Sequence, residues 1–108
     1  MFNLNDVVKI SNKLNLKFNK YSMKDLLKGI NIELEHGTIN PKTNITNDDL
    51  EMTTKIALAH LNELPNYYNE EYGLPYFEKK LKEKLSKWQF FLIINHNQNH
   101  NHMNLNNY

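Results

Sequence analysis

The sequence predicts an all-α fold: a compact domain of three to four helices, followed by a disordered tail rich in Asn and His. Apolar residues recur at intervals of three and four along four segments, as on one face of a helix. Residues that cap helices, such as Ser22, stand directly before some of these segments. The 108 residues make one domain, and the absence of cysteine excludes a disulfide or a thiolate metal site as its support.

The first two helices are predicted from their caps and apolar stripes. Asn5 or Asp6 is the expected cap of a helix over residues 6–15, because both side chains can accept a hydrogen bond from a free backbone amide. The serine cap places the second helix over residues 23–36. Gly37 follows it at the position where a left-handed residue often ends a helix.

The third and fourth helices are predicted from capping residues and prolines. Thr46 or Asn47 is expected to cap the third helix, which ends before Pro65. The fourth helix is expected from Tyr76 to about Ile93, after a proline suited to a first helical position. Its predicted core stripe consists of Phe77, Leu81, Leu85, Trp88 and Leu92.

The last segment is almost entirely Asn and His and has few apolar residues to bury. Such a segment does not recover the entropy lost on ordering, and we expect it to be disordered. The predicted organisation is a helical domain over residues 1–94 and a low-complexity tail over residues 95–108.

Residue usage limits the classes of partner. The net charge is +1, which favours neither nucleic acid nor a membrane surface. All 13 basic residues are Lys and 19 residues are Asn, as expected of an AT-rich coding sequence, which fits a giant virus or a phage-like source. Without Arg, sequence-specific nucleic-acid binding is not expected.

The N-terminus lacks the pattern of a secretion signal, and no apolar run is long enough to span a bilayer. We therefore expect a soluble intracellular protein, in the host cytoplasm or the virion if it is viral.

A dense pattern of acids, histidines and tyrosines lies in the centre of the chain. Its residues are Gly29, Glu33, Leu34, Glu35, His36, Asn44, Thr46, Asp48, Asp49, Ile56, Ala57, His60, Leu61, Glu63, Pro65, Tyr67 and Tyr68. On these residues the chain resembles a small family of unknown function from phages, large DNA viruses and bacteria, "domain of unknown function 5661", with the family-like core over residues 22–72. The resemblance implies a compact helical domain of viral origin and brings no activity with it.

Four residues of this pattern form a candidate metal site. Glu33 and His36 are three residues apart and share a helix face, and His60 and Glu63 repeat the spacing in reverse order. Two imidazoles and two carboxylates suit zinc, iron or manganese. The order differs from the Glu-x-x-His pairs of di-iron bundles, which weakens that analogy.

The geometry of antiparallel helices argues against one shared site. If the second and third helices are antiparallel neighbours, the two pairs lie roughly 15–20 Å apart. The alternative acidic partners of His36 are then Asp48, Asp49 and Glu51, at the start of the third helix. The favoured interpretation is structural, with His36 at the negative end of its helix dipole and the aspartates as caps.

The predicted function is that of a small accessory or interaction protein without evident catalytic activity and without a cofactor. Tyr67, Tyr68 and Tyr72 are the candidate interaction surface for an unknown protein partner, since tyrosine is enriched in interfaces. The first alternative is a domain that binds a divalent metal through the paired Glu and His residues, with or without hydrolytic activity. The second is weak nucleic-acid binding through the Lys-rich fourth helix.

Overall fold

The computed structural model describes residues 1–98 and contains, within them, helices and no β-strand, which confirms the all-α class. The four α-helices are α1 (Leu4–Lys13), α2 (Met23–Glu33), α3 (Leu50–Glu63) and α4 (Leu74–Gln98). A single 3-10 turn, Leu34–His36, extends α2. In this part of the chain no helix combines the length and the apolar composition that crossing a membrane requires.

Reciprocal caps set the starts of the first two helices. The Asn3 side chain accepts a hydrogen bond from the Asp6 amide at 3.0 Å, and the Asp6 carboxylate accepts from the Asn3 amide at 2.8 Å. The predicted cap at Asn5 or Asp6 was therefore wrong, because the full capping box is available only from Asn3. Ser22 caps α2 as predicted, in a matching exchange with Asp25 at 3.0 and 2.9 Å.

The loop between α2 and α3 differs from its prediction at both ends. Gly37 follows the 3-10 turn as its C-cap, as its position predicts, but its φ of −104° is not left-handed. A Cβ atom at this position would displace the carboxylate of Asp48. Asn47 and Asp48 have φ values of 52° and 61°, which are left-handed, so α3 does not begin directly after the predicted caps. Asp49 caps α3 instead and accepts a hydrogen bond from Met52 at 2.9 Å.

The core is formed by α1, α2 and α3. The contact between α2 and α3 is the most extensive, and α1 packs against both. The fully or nearly fully buried apolar residues are Val7, Ile10, Leu26, Ile30, Ala57, Leu58, Leu61 and Tyr68. Asn31 of α2 also holds the N-terminus, because its side chain accepts from the Phe2 amide at 2.9 Å and donates to the Phe2 carbonyl at 3.1 Å.

The fourth helix departs most from its prediction. Phe77, Leu81 and Leu85 are 55%, 65% and 53% exposed, so the prediction that they line the core was wrong. Periodicity shows that a helix has an apolar face but not which element covers it, and in the described part of the chain α4 has no extensive contact with α1–α3. The helix also continues to Gln98, so residues 95–98 are helical, and the rest of the predicted tail lies outside the described residues.

Candidate functional site

A buried carboxylate lies at the end of α2. Glu33 is seven residues after Leu26 and three after Ile30, so it continues the apolar stripe that faces α3. It is only 2% exposed. A carboxylate in such a position is stable only if it is paired with a cation, accepts hydrogen bonds or binds a metal, because desolvation of an isolated charge is very costly.

Three side chains from different segments meet this carboxylate. Tyr68 lies in the segment after α3, and its hydroxyl donates a hydrogen bond to Oε2 of Glu33. Nε2 of His36, on the 3-10 turn, lies 3.3 Å from Oε1, and Nε2 of His60, on α3, lies 3.7 Å from Oε2. The two imidazoles therefore meet opposite oxygens of one carboxylate, in place of the separation of roughly 15–20 Å expected for antiparallel helices.

Glycine on α2 makes room for the tyrosine. Gly29 lies one turn before Glu33, and a Cβ atom on it would be 2.5 Å from Cε2 of Tyr68. The ring therefore lies directly on the helix backbone, and its hydroxyl reaches the carboxylate four residues further on. Sequence reasoning gave no role to Gly29, although a glycine inside an apolar helix stripe is a signal of close approach.

Aromatic rings fix the orientation of His60. Its ring stacks on Tyr67 with centroids 4.2 Å apart and an interplanar angle of 3°. Tyr68 meets Tyr67 edge-on at 4.9 Å. The side chains of His36 and His60 remain 39% and 38% exposed. A solute can therefore reach the outer edges of both imidazoles, while the carboxylate between them is closed to water.

The charge of Glu33 has few compensating partners. In residues 1–98 no lysine nitrogen lies within 4.0 Å of its carboxylate, and the cationic candidates are the two imidazoles. Burial, and then the hydrogen bond to Glu33, raise the pKa of the Tyr68 hydroxyl well above its usual range. Burial, and then the charge of Glu33, also raise the pKa of Tyr67. Both tyrosines therefore stay neutral and act as donors or packing groups, not as counter-charges.

Three of the neighbouring groups have the spacing of metal ligands. Oε1 of Glu33, Oε1 of Glu35 and Nε2 of His36 lie within 4.8 Å of one another. Nε2 of His36 is 3.3 Å from the first oxygen and 3.4 Å from the second. Ligand atoms bound to one tetrahedral zinc ion are about 3.3–3.5 Å apart, which these two distances match.

The other predicted site residues lie elsewhere. Glu33, His36, His60 and Tyr68 form what we call the Glu33 cluster. Glu63 is exposed and, among the described residues, forms no ion pair with this cluster. Asp48 accepts two hydrogen bonds from Thr38, one from its amide at 2.9 Å and one from its hydroxyl, which lower the pKa of Asp48. Asp49 caps α3. The carboxylate of Glu51 is 2.8 Å from Lys13, so it is not a partner of His36.

The three predicted interaction tyrosines also separate. Tyr68 is 2% exposed and belongs to the Glu33 cluster, so it cannot form part of an interaction surface. Tyr67 is half-buried against His60, and only Tyr72, at 69%, is largely exposed. Residues 64–73 connect α3 to α4 and are called the connector. Tyr67 and Tyr72 do share the wall of a groove of about 290 Å³ between this connector and the start of α4.

Comparison with curated proteins and with solved structures returned no significant match. A family model does match. Residues 7–74, more than half of the chain, match the family described as "Protein of unknown function (DUF5661)". This range includes α1 from Val7 onward, α2, α3, the Glu33 cluster and the segment between α3 and α4, and it ends at the first residue of α4. The chain therefore belongs to the DUF5661 family of proteins of unknown function.

Proposed function

We propose that the protein binds a divalent transition-metal ion at Glu33, Glu35 and His36, with His60 at the second oxygen of Glu33. One observation carries the proposal: two half-exposed imidazoles converge on a buried carboxylate that has no lysine beside it. A metal ion would supply the positive charge that this buried group lacks. Neutral imidazoles, which are common near pH 7, would not supply it.

The chemistry of the ligands favours zinc, iron or manganese. Imidazole suits zinc and iron, and carboxylates add affinity for iron and manganese. Tyr68 would act outside the coordination sphere, because its hydroxyl donates to Glu33 and fixes the orientation of the carboxylate. The predicted partner Glu63 has no place in this set, and Glu35 replaces it.

Metal titration of the full chain tests the proposal. The protein is prepared without an affinity tag and with His96, His100 and His102 replaced by Gln, so that the tail gives no background. We expect one zinc, manganese or cobalt(II) ion per chain by calorimetry, and a cobalt(II) visible spectrum that indicates nitrogen ligation. Binding should weaken as the pH falls, because only neutral imidazoles can act as ligands.

Matched variants locate the ion. Glu33→Gln keeps the size of the side chain and the acceptor for Tyr68, and we expect it, like His36→Gln, to weaken binding at least about 100-fold, since both remove a ligand. Glu63→Gln is the control, because Glu63 is an exposed glutamate on α3 that, among the described residues, forms no ion pair with Glu33, His36 or His60. A chain that binds no ion, or a Glu33→Gln variant that binds as well as the parent, would refute the site.

A second candidate function is that of an accessory or interaction protein, and the exposed apolar face of α4 favours it. AT-rich residue usage supports a viral source for such a protein, and that origin stays a prediction. Weak nucleic-acid binding through the α4 lysines also stays a prediction, which a salt-dependent gel shift tests. No arrangement among the described residues favours a hydrolytic reaction over simple binding.

A further inference from the structure

The helix α4 carries a row of exposed apolar side chains. Phe77, Leu81 and Leu85 are each more than half exposed, and the stripe continues through the partly exposed Trp88 and Leu92. A helix of 25 residues in water takes most of its stability from packing of its apolar face. Phe77, Leu81 and Leu85 therefore form an apolar face that the first three helices leave exposed.

The spacing of the stripe specifies a helical partner. Leu81, Leu85, Trp88 and Leu92 follow one another at intervals of four, three and four residues. Viewed along the helix, with Phe77 included, they lie within an arc of about 80°. A face that packs on a globular core is at least about 100° wide, whereas a narrow stripe with a period of 3.5 is typical of a coiled-coil seam.

We propose that α4 pairs with α4 of a second copy of the chain in an antiparallel two-helix interface. A parallel pair would place Glu78 against Glu78 and Trp88 against Trp88 of the second copy, which combines charge repulsion with overcrowding. In the antiparallel register Trp88 lies against the shorter Leu85 of the second copy. Leu81 then lies against Leu92 of the second copy, and both layers are apolar.

Charge is compatible with this register. The helix has five lysines and two glutamates, and a partner that aligned lysines with lysines would be repelled. In the antiparallel pair Lys82 lies opposite Gln89 of the second copy, and Lys84 lies opposite position 91, which is uncharged. The remaining lysines lie away from the seam, and their aliphatic stems can cover its edges.

The area suits a weak dimer. A seam from Phe77 to Leu92 is 16 residues and about 24 Å long. Half-exposed Leu, Phe and Trp side chains along it would bury on the order of 1,000 Å² in total over the two copies. Stable interfaces usually begin at about 1,200 Å², so we expect a concentration-dependent dimer, not an obligate one.

Sedimentation velocity of the full chain tests the pairing. We expect the mass to double as the concentration rises through the micromolar range. Leu85→Glu should keep the chain monomeric at every concentration. Ser86→Glu, which adds the same charge on the opposite side of the helix, should leave the dimer intact. Both residues are exposed on α4, so the buried Tyr68 should keep its near-ultraviolet circular dichroism in both variants, which shows that the α1–α3 core remains folded.

Disulfide trapping tests the orientation. The chain has no cysteine, so single substitutions report directly. A mixture of Leu81→Cys and Leu92→Cys chains should form the mixed disulfide, and Leu81→Cys alone should stay unlinked. Cross-linking of Leu81→Cys with itself would overturn the antiparallel arrangement. A chain that stays monomeric overturns the dimer. If such a monomer binds vesicles of anionic phospholipid only with Leu85 intact, the stripe is assigned to a lipid surface instead.

Discussion

The Glu33 cluster and the α4 stripe deviate from ordinary burial in opposite directions. In the first, a carboxylate lies inside the domain with 2% exposure, and in the second, leucines of 53% and 65% exposure lie outside it. The cluster has its partners within the same chain, contributed by α2, the 3-10 turn, α3 and the connector. Phe77, Leu81 and Leu85 stay more than half exposed, because α4 has no extensive contact with α1–α3 in the described part of the chain. The first region thus surrounds a buried charge with polar groups of the same chain, whereas the second leaves apolar side chains uncovered.

The largest expected effect is on the free energy of unfolding, for which a buried leucine of the α1–α3 core is compared with an exposed leucine of α4. Leu61→Ala removes a fully buried side chain between α2 and α3, and we expect it to lower the free energy of unfolding by about 2–5 kcal/mol. Leu81→Ala on α4 should change it by less than about 0.5 kcal/mol in the monomer, because that side chain is 65% exposed.

Urea denaturation at a low protein concentration, where the chain is monomeric, measures both values. Equal losses for the two variants would show that α4 packs on the core in solution and would remove the contrast between the regions.

The next effect concerns the room that Gly29 leaves for Tyr68. Gly29→Ala places a methyl group against the ring, and we expect a loss of about 1–3 kcal/mol from overpacking. A double-mutant cycle with Tyr68→Leu, whose side chain is smaller, isolates the contact. The combined loss should be smaller than the sum of the two single losses, since the clash is already relieved. Additive losses would mean that the ring does not lie on Gly29 in solution.

The smallest effect is on the alkaline stability of the cluster. The pKa of Tyr68 is raised in the folded state, so above pH 10 the unfolded chain releases a proton that the folded chain retains. The stabilisation from neutral Tyr68 is therefore complete below about pH 10, and it falls by about 1.4 kcal/mol for each further pH unit until the folded group ionises.

Thermal unfolding between pH 9 and pH 11 measures this slope. The Tyr68→Phe variant lacks the hydroxyl and serves as the control. The same slope in both chains would show that the hydroxyl is not buried against Glu33.

Helix positions were largely predictable from the sequence because caps and periodicity are local. Ser22 precedes α2 as its predicted cap, and the 3-10 turn that extends α2 ends at His36, where the end of the second helix was predicted. Errors arose where two local options competed. Asn3 and Asn5 are equally good caps in isolation, and only Asn3 has Asp6 at the distance that closes the reciprocal exchange.

The site was predictable in composition but not in assembly. Glu33, His36, His60 and Glu63 were chosen from their residue types and spacing, and the first three meet in the structure whereas Glu63 does not join them. Their convergence depends on how α2 crosses α3, which spacing along one helix does not determine. The role of Tyr68 was not predictable, because its ring packs against Gly29, which has no side chain and is far away in the sequence.

The turn before α4 has a mechanical consequence. The amide of Leu74 donates to the carbonyl of Tyr67 at 2.5 Å, and the backbone folds so tightly that a Cβ atom on Gly73 would strike the carbonyls of Asn66 and Tyr67. The direction in which a helix of 25 residues leaves the domain is therefore set at one residue that has no side chain. A single added methyl group at position 73 would force this turn open, and the direction of α4 would change with it.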